Sequence, residues 1–107
     1  MRAAYIEQVH DVTRLIPPGR VTTYGAIADF LTLGSARMVG WALFNSLRAD
    51  DVPAHRVVNR KGELSGRNHF ATPTLMQELL EAEGVSVTDD RVDHFDRLFW
   101  PPTELLK

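Results

Sequence analysis

The arrangement of this chain is decided by residues 23–47, which read TYGAIADFLTLGSARMVGWALFNSL. Thr23 can cap a first helix over residues 24–33, and Gly34 suits the turn that ends it. Ser35 is a natural N-cap for a second helix that runs to residue 47. Apolar side chains recur at helical spacing in the first helix, at Ile27, Phe30 and Leu31. Two helices joined by a short glycine-containing turn predict a helix-turn-helix.

The second helix of this pair carries two stripes of side chains. One is small and aliphatic and the other is basic and aromatic: Ala36, Val39, Leu43 and Leu47 against Arg37, Trp41, Phe44 and Arg48. The aliphatic stripe predicts the packed face. The other stripe either faces a partner or places its rings in the core, and the sequence leaves both open. Gly40 costs a helix about 1 kcal/mol relative to alanine, which indicates a close approach by another backbone or a ligand.

Further helical patterns flank this motif. An amphipathic helix over residues 3–15 ends at Pro17-Pro18-Gly19, and a fourth helix begins at Thr72-Pro73 and stops at Gly84. An extended segment and a turn predict a short β-hairpin near residues 56–65. Residues 89–96 read as an acidic loop, and Pro101-Pro102 is expected to end the ordered structure. The fold class is therefore mainly α, a winged-helix-like helix-turn-helix domain with a short β-hairpin, in a single domain over residues 1–107.

Composition excludes several classes of protein. The chain has 107 residues and no cysteine, which rules out disulfides, thiolate metal sites and cysteine nucleophiles. No apolar run approaches the roughly 20 residues of a membrane span, and the N-terminus lacks the apolar stretch of a signal peptide. We therefore expect a cytoplasmic protein that does not associate with a membrane.

The net charge of −2 is unevenly distributed. Residues 20–68 hold seven basic and four acidic residues, whereas residues 69–107 hold three basic and eight acidic residues. This distribution allows a modest basic face in the middle of the chain, although such a stretch is also typical of an ordinary solvated surface.

The polar residues do not form a catalytic or metal-binding pattern. The four histidines (His10, His55, His69 and His94) lack the short spacings of a zinc site. Ser65 is not framed by the strand–turn–helix elbow of serine hydrolases, and no glycine-rich phosphate loop is visible. We therefore expect no metal and no cofactor.

The segment after the helix-turn-helix, Val52-Pro53-Ala54-His55-Arg56-Val57-Val58, carries the most specific signal. It resembles the Pro-Cys-His-Arg-Val/Ile signature of the alkylguanine-DNA alkyltransferases, in which the cysteine accepts the alkyl group from 6-O-alkylguanine. Ala54 occupies the cysteine position. The resemblance covers about residues 4–85 through further blocks in family order: IPPGRVTTYG (16–25), ARMVG (36–40), Asn45 and LLEAEG (79–84).

The missing sulfur decides which branch of this family the chain resembles. A thiolate is what attacks the alkyl carbon, and alanine offers no lone pair to do so. The chain is similar instead to the alkyltransferase-like proteins, which lack the cysteine and mark alkylated bases for nucleotide excision repair. The resemblance implies a non-catalytic, monomeric sensor without a cofactor. It would bind 6-O-alkylguanine in duplex DNA by nucleotide flipping and have nucleotide excision repair proteins as partners.

Three other interpretations stay open at this point. The helix-turn-helix could belong to a transcriptional regulator that reads a base sequence in the major groove without lesion selectivity. The chain could also be a hydrolase acting on the damaged base, with His55 or Glu83 as the general base. Finally, it could be a degenerate transferase without function.

The resemblance also assigns DNA contacts residue by residue. Tyr24 resembles the tyrosine that crowds the phosphate beside the lesion and helps rotate the nucleotide out. Arg37 resembles the arginine that enters through the minor groove and stacks in the vacated place, which offsets the few kcal/mol that extrusion costs. The other expected contacts are Thr22 and Thr23 with phosphates and Ser35, Ala36, Met38 and Gly40 in the groove.

A second set of residues is expected around the extruded base. The lesion pocket is expected to be walled by Trp41, Ala54, Val57 and Arg67, and the structural support by Asn45, His55, Arg56 and Glu83. Transferases commonly read Gly-x-Leu-x-Gly-aromatic-x-Gly-Gly where this chain reads GELSGRNHF (62–70). Arg67 therefore replaces the aromatic lid, and it could contact the alkylated base through a cation–π or hydrogen-bonding interaction.

Overall fold

The computed structural model describes residues 2–45 and 51–107. The α-helices of this part are α1 (Arg2–Arg14), α2 (Tyr24–Phe30), α3 (Ala36–Phe44), α4 (Leu75–Ala82) and α5 (Phe95–Leu98). Short 3₁₀ helices cover Ala54–Arg56, Arg67–His69 and Pro102–Leu106. The strands are β1 (Thr22–Thr23), β2 (Val57–Val58), β3 (Val87–Thr88) and β4 (Arg91–Val92). The predicted mainly α fold is confirmed.

The predicted helix-turn-helix is formed by α2 and α3. The Thr23 hydroxyl accepts a hydrogen bond from the Ala26 N–H at 3.0 Å, as expected of an N-cap. The first helix ends at Phe30 rather than residue 33, because Thr32 adopts a left-handed conformation with φ of 55°. The second helix is described as far as Phe44, and the predicted positions of Leu47 and Arg48 lie outside the described residues.

A parallel strand pair joins the entrance of this motif to the segment after residue 54. Thr22 pairs with Val57 and Thr23 with Val58. The two strand residues of β2 point to opposite sides, so that Val57 packs into one buried cluster and Val58 into another. The first cluster lies between α1, α2 and α3, and the second contains Met76 and Leu80 of α4.

The hairpin lies elsewhere than predicted. Residues 59–63 form a turn held by the Asn59 side chain, but Val57 and Val58 pair with β1 and not with a following strand. The antiparallel hairpin is β3–β4, and its turn consists of Asp89 and Asp90, both at positive φ. Aspartate tolerates this conformation in a tight turn, so the start of the expected acidic loop is the tip of the hairpin, whereas Asp96 lies in α5.

Two further boundaries differ from the prediction. The fourth helix begins at Leu75, since Thr72 and Pro73 form a preceding turn in which the Thr72 carbonyl accepts the Leu75 N–H. Order also continues past Pro101-Pro102, because Pro102–Leu106 form a 3₁₀ helix and the Glu104 carboxylate lies 3.7 Å from the Arg20 guanidinium. Trp100 is 3% exposed and its N–H donates to the Val21 carbonyl at 2.7 Å.

Within the described ranges, no helix is long and apolar enough to cross a membrane.

Candidate nucleic-acid interface

The N-terminal end of α3 is the most exposed part of the helix-turn-helix. Ser35, Ala36 and Arg37 are exposed, whereas Val39 and Leu43 of the same helix are fully buried. Ser35 occupies the N-cap position, but its side chain makes no capping hydrogen bond. The first backbone N–H groups of α3 are therefore not capped by a side chain, and they carry the positive end of the helix dipole.

A groove of about 310 Å³ opens beside this helix end. We call it the Tyr24 groove, and its walls are Tyr24, Ala36, Arg37, Gly40, Phe44, Ser65, Gly66 and His69. It brings α2 and α3 together with residues 65–69, which are distant in the sequence. Tyr24, Ala36, Arg37 and Gly40 had been predicted as DNA contacts, so the structure places four expected residues on one groove.

Tyr24 is held firmly at the centre of the groove. Its side chain is largely buried, which raises the pKa of the phenol, while a hydrogen bond from the Ser65 side chain opposes that rise. The phenol therefore stays neutral near pH 7 and presents a hydroxyl rather than a charge. A Cβ at Gly40 would lie 4.0 Å from the Tyr24 ring, which is ordinary contact, so Gly40 faces Tyr24 without being required there by space.

Arg37 stands between the Tyr24 groove and a second cavity. That cavity measures about 350 Å³ and is lined by Tyr5, Ile6, Ser35, Arg37, Met38 and Trp41. Trp41 is 45% exposed there, so it belongs neither to the core nor to the Tyr24 groove. Trp41 thus lines this cavity together with Arg37, and its expected place in the lesion pocket stays a prediction.

A third cavity extends the Tyr24 groove toward a basic turn. It measures about 450 Å³, and its walls are Tyr24, Gly25, Ala36, Asn59, Arg60, Lys61 and Glu63. Arg60 and Lys61 are exposed at the tip of the turn. Because Tyr24 and Ala36 line both cavities, the groove and the basic turn form one continuous concave surface.

The two threonines that are expected to contact phosphates are buried. Thr22 is 0% exposed, and its hydroxyl has no hydrogen-bond partner among the described residues. Thr22 is buried in the β1–β2 pair of the free protein, and its expected phosphate contact stays a prediction. Thr23 is 9% exposed and uses its hydroxyl oxygen to cap α2.

The remaining residues expected around the base are dispersed. Ala54 and Val57 are 1% and 0% exposed and pack in the buried cluster between α1, α2 and α3, so their place in a lesion pocket stays a prediction. Arg67 is partly exposed, donates to the Leu64 carbonyl at 3.2 Å and lies 3.8 Å from Asp90. It directly follows Gly66 of the Tyr24 groove.

The expected supporting residues meet around one carboxylate. His55 Nε2 lies 2.8 Å from Glu83 Oε2, and the Arg56 guanidinium donates to both Glu83 oxygens at distances down to 2.7 Å. Arg56 also donates to the Ile16 carbonyl, and the Gly19 N–H donates to Glu83. Burial alone would raise the pKa of Glu83, but the hydrogen bonds from Arg56, His55 and Gly19 outweigh it and lower the pKa to about 2.

Asn45, the fourth expected support, lies apart from this network. It is exposed at the C-cap of α3, where its backbone N–H donates to the Trp41 carbonyl at 2.8 Å. Its predicted contact with the turn beneath the Pro-Ala-His-Arg segment stays a prediction.

Sequence reasoning missed three walls of the Tyr24 groove: Ser65, Gly66 and His69. All three lie in the segment GELSGRNHF (62–70), but only His69 departs from the transferase pattern, and that departure was the available signal for His69. In the described part of the chain, no three His, Asp or Glu side chains are close enough together to hold a metal ion.

Comparison with known proteins agrees with this geometry. Residues 4–85 match the model of the 6-O-methylguanine DNA methyltransferase DNA-binding domain. Alkyltransferase-like protein 1 of Schizosaccharomyces pombe is 38% identical over 84 residues, covering 78% of this chain and 78% of the relative. A DNA base-flipping protein of Vibrio parahaemolyticus is 33% identical, covering 92% of this chain and 97% of the relative.

The fold has solved counterparts that hold DNA. The crystal structure of S. pombe Atl1 in complex with damaged DNA containing O6-carboxymethylguanine superposes with a TM-score of 0.81 at 31% identity, covering 92% of this chain and 95% of Atl1. The Mycobacterium tuberculosis OGT–DNA complex gives a TM-score of 0.64 at 35% identity, covering 74% of this chain and 48% of OGT. The chain thus belongs to the family of the 6-O-methylguanine DNA methyltransferase DNA-binding domain, and it is similar to the alkyltransferase-like and base-flipping proteins of that family.

Proposed function

We propose that this protein is a non-catalytic sensor that binds 6-O-alkylguanine in duplex DNA by nucleotide flipping and directs it to nucleotide excision repair. The observation that carries the proposal is that Tyr24 and Arg37 line one groove at the exposed end of α3. Its relative Atl1, which shares the fold, has been crystallised with damaged DNA containing O6-carboxymethylguanine.

Tyr24 and Arg37 suit different parts of the flipping step, which are rotation of the nucleotide out of the duplex and filling of the vacated place. Tyr24 is fixed by burial and by Ser65, so it can press against the backbone beside the target nucleotide without yielding. Arg37 is exposed and has no ion-pair partner among the described residues, so its guanidinium is available to enter the duplex. A planar cation can stack in the vacated place and meet the acceptors of the orphaned base.

The rest of the surface favours duplex DNA with little sequence preference. The uncapped N–H groups of α3 and the exposed Arg60 and Lys61 suit contacts with phosphates, which position the protein and carry no sequence information. Arg67 directly follows Gly66 of the Tyr24 groove in the chain, and in this proposal it contacts the alkylated base.

Binding without chemistry follows from Ala54. This residue stands beside the His55–Glu83 pair, where the transferases have their nucleophile, and the chain contains no cysteine elsewhere. A methyl group can neither be deprotonated nor attack an alkyl carbon. The alkylated base therefore remains in the DNA after the protein has bound, and its removal requires other proteins.

The flipping residues can be tested by comparing Arg37→Ala with Arg97→Ala, which removes the same charge from an exposed site on α5. We expect Arg37→Ala to weaken binding to a 6-O-methylguanine duplex by about tenfold or more and to abolish discrimination against guanine, since stacking contacts are worth about 1–3 kcal/mol. Arg97→Ala should retain discrimination. If both variants weaken binding to the damaged and the undamaged duplex by the same factor, the flipping mechanism is refuted.

The repair step needs a separate test. We expect this protein to accelerate dual incision of a 6-O-methylguanine duplex by a reconstituted excision nuclease, and Arg37→Ala not to do so. Unchanged or slower incision would show that the protein does not direct the lesion to that pathway.

A further inference from the structure

The Tyr24 groove contains an aromatic stack that the flipping step does not use. The rings of Phe44 and His69 lie 4.5 Å apart between centroids and 9° from parallel. Phe44 ends α3, and His69 ends the 3₁₀ helix Arg67–His69, so the stack bridges two separate segments. Phe44 is further held by edge contacts with Tyr24 and Phe70.

Phe44 covers only one face of the His69 ring. His69 is exposed although Phe44 covers one face of its ring, so its exposure lies on the opposite face and the ring edges. His69 and Arg37 both line the groove, so a group that enters the groove comes within reach of the His69 side chain.

Gly66 allows the backbone to pack closely against the stack. A Cβ at this position would lie 2.8 Å from Phe44 Cζ and 2.8 Å from the Tyr24 hydroxyl oxygen, which is too close for any side chain without displacement. Gly66 therefore forms a close-packed floor of the groove, in contact with the Phe44 ring and the Tyr24 hydroxyl. Where the transferase pattern has two glycines, this chain has His69 and Phe70, so the stack is a property of this sequence and not of the shared pattern.

We propose that the uncovered face of His69, backed by Phe44, is a stacking platform for a planar aromatic ring that DNA delivers into the Tyr24 groove. The inference rests on the proposed function, because DNA must place a ring there. An aromatic platform is tolerant of base identity, since every base has a π-face, and a rigid backing ring reduces the entropy lost on stacking. The ring has two possible sources, the nucleobase itself or an aromatic substituent on the guanine O6.

The test uses His69→Ala, His69→Phe and the matched control Asn68→Ala, an exposed neighbour in the same 3₁₀ helix. Each protein is titrated into duplexes containing guanine, 6-O-methylguanine or 6-O-benzylguanine. We expect His69→Ala to weaken lesion binding by about tenfold, whereas His69→Phe, which keeps the ring and removes the N–H groups, retains it. Asn68→Ala should match the wild type.

The duplexes separate the two sources of the ring. Equal losses with the methyl and benzyl lesions identify the base as the stacked ring, and a loss confined to the benzyl lesion identifies the substituent. The platform is refuted if His69→Ala binds every duplex like Asn68→Ala, or if His69→Phe loses as much affinity as His69→Ala. The proposed function is judged separately, by whether the wild type discriminates 6-O-methylguanine from guanine.

Discussion

His55 Nε2 and Glu83 Oε2 lie 2.8 Å apart, beside a position that offers no thiol to activate. The pair nevertheless connects the turn that begins at Ala54 with the end of α4, and Glu83 also accepts the N–H of Gly19. Three distant segments therefore meet at one carboxylate. In this protein the pair acts as a structural clasp that fixes the Pro-Ala-His-Arg segment against the helix-turn-helix.

This clasp predicts an acid-sensitive stability. The pKa of Glu83 in the folded protein is about 2, against an ordinary value of 4.5, so its ionised form stabilises the fold. That contribution, on the order of 3 kcal/mol, is complete above about pH 5 and is lost as the pH falls toward 2. Glu83→Gln should therefore be less stable than the wild type at pH 7 and approach it near pH 2. Urea unfolding at a series of pH values measures this.

Glu81→Gln is the matched control, because Glu81 is an exposed carboxylate in the last turn of α4. It should follow the wild-type profile. If Glu83→Gln and the wild type instead lose stability in parallel between pH 5 and pH 2, the clasp is not the source of the dependence.

The burial of Ala54 can be measured with a single introduced thiol. Since the chain has no cysteine, Ala54→Cys carries one reporter at a site that is 1% exposed. Its reaction with a disulfide reagent should be at least about a hundredfold slower in the folded protein than in urea, because local opening must precede reaction. Ser35→Cys, at an exposed position, should react rapidly in both states. Rapid labelling of folded Ala54→Cys would place this residue in an open pocket instead.

Gly66 should resist even the smallest substitution. Gly66→Ala places a methyl group 2.8 Å from Phe44 and Tyr24, and such overpacking costs about 1–3 kcal/mol. Gly25→Ala is the stability control, since a Cβ there meets nothing within 4 Å and lies in the first turn of α2. Thermal unfolding should show a lower Tm for Gly66→Ala and an unchanged or higher Tm for Gly25→Ala. Similar Tm values for the two variants would mean that the groove floor is loosely packed.

The basic turn should contribute affinity without selectivity. Arg60 and Lys61 adjoin the groove but stand on its outer rim, where phosphates rather than bases are expected. Arg60→Ala and Lys61→Ala should each weaken binding to damaged and undamaged duplexes equally and lower the salt slope of log Kd by about one. Anisotropy titrations at several salt concentrations give both quantities. A change in lesion preference would place this turn at the base instead.

The local signals of the sequence predicted the helix-turn-helix well. Thr23 caps α2 as expected, and Val39 and Leu43 form the packed stripe of α3. The hairpin was misplaced because β2 pairs with β1, a contact between residues 35 positions apart that no local pattern encodes. The order after Pro101-Pro102 was missed for the same reason, since Glu104 pairs with Arg20, which is 84 positions earlier.

The sequence predicted which residues of the helix-turn-helix lie near one another. It was less informative about the residues expected around the base. Tyr24 and Arg37 line the same groove because the helical framework positions both, and their expected contacts with DNA stay predictions. The burial of Thr22, Ala54 and Val57 could not be predicted, because it depends on packing between distant segments. His69 was overlooked because its position in the groove involves stacking on Phe44, which is 25 positions earlier in the chain.

The central claim is that this protein recognises a lesion and leaves it unchanged. The most direct measurement titrates the wild type into a labelled duplex carrying one 6-O-methylguanine and into the same duplex with guanine, followed by mass analysis of the DNA and the protein. We expect tighter binding to the damaged duplex, with the masses of both molecules unchanged. Equal affinity for the two duplexes would contradict lesion recognition and favour a transcriptional regulator, and a lost methyl group or an excised base would contradict the absence of catalysis.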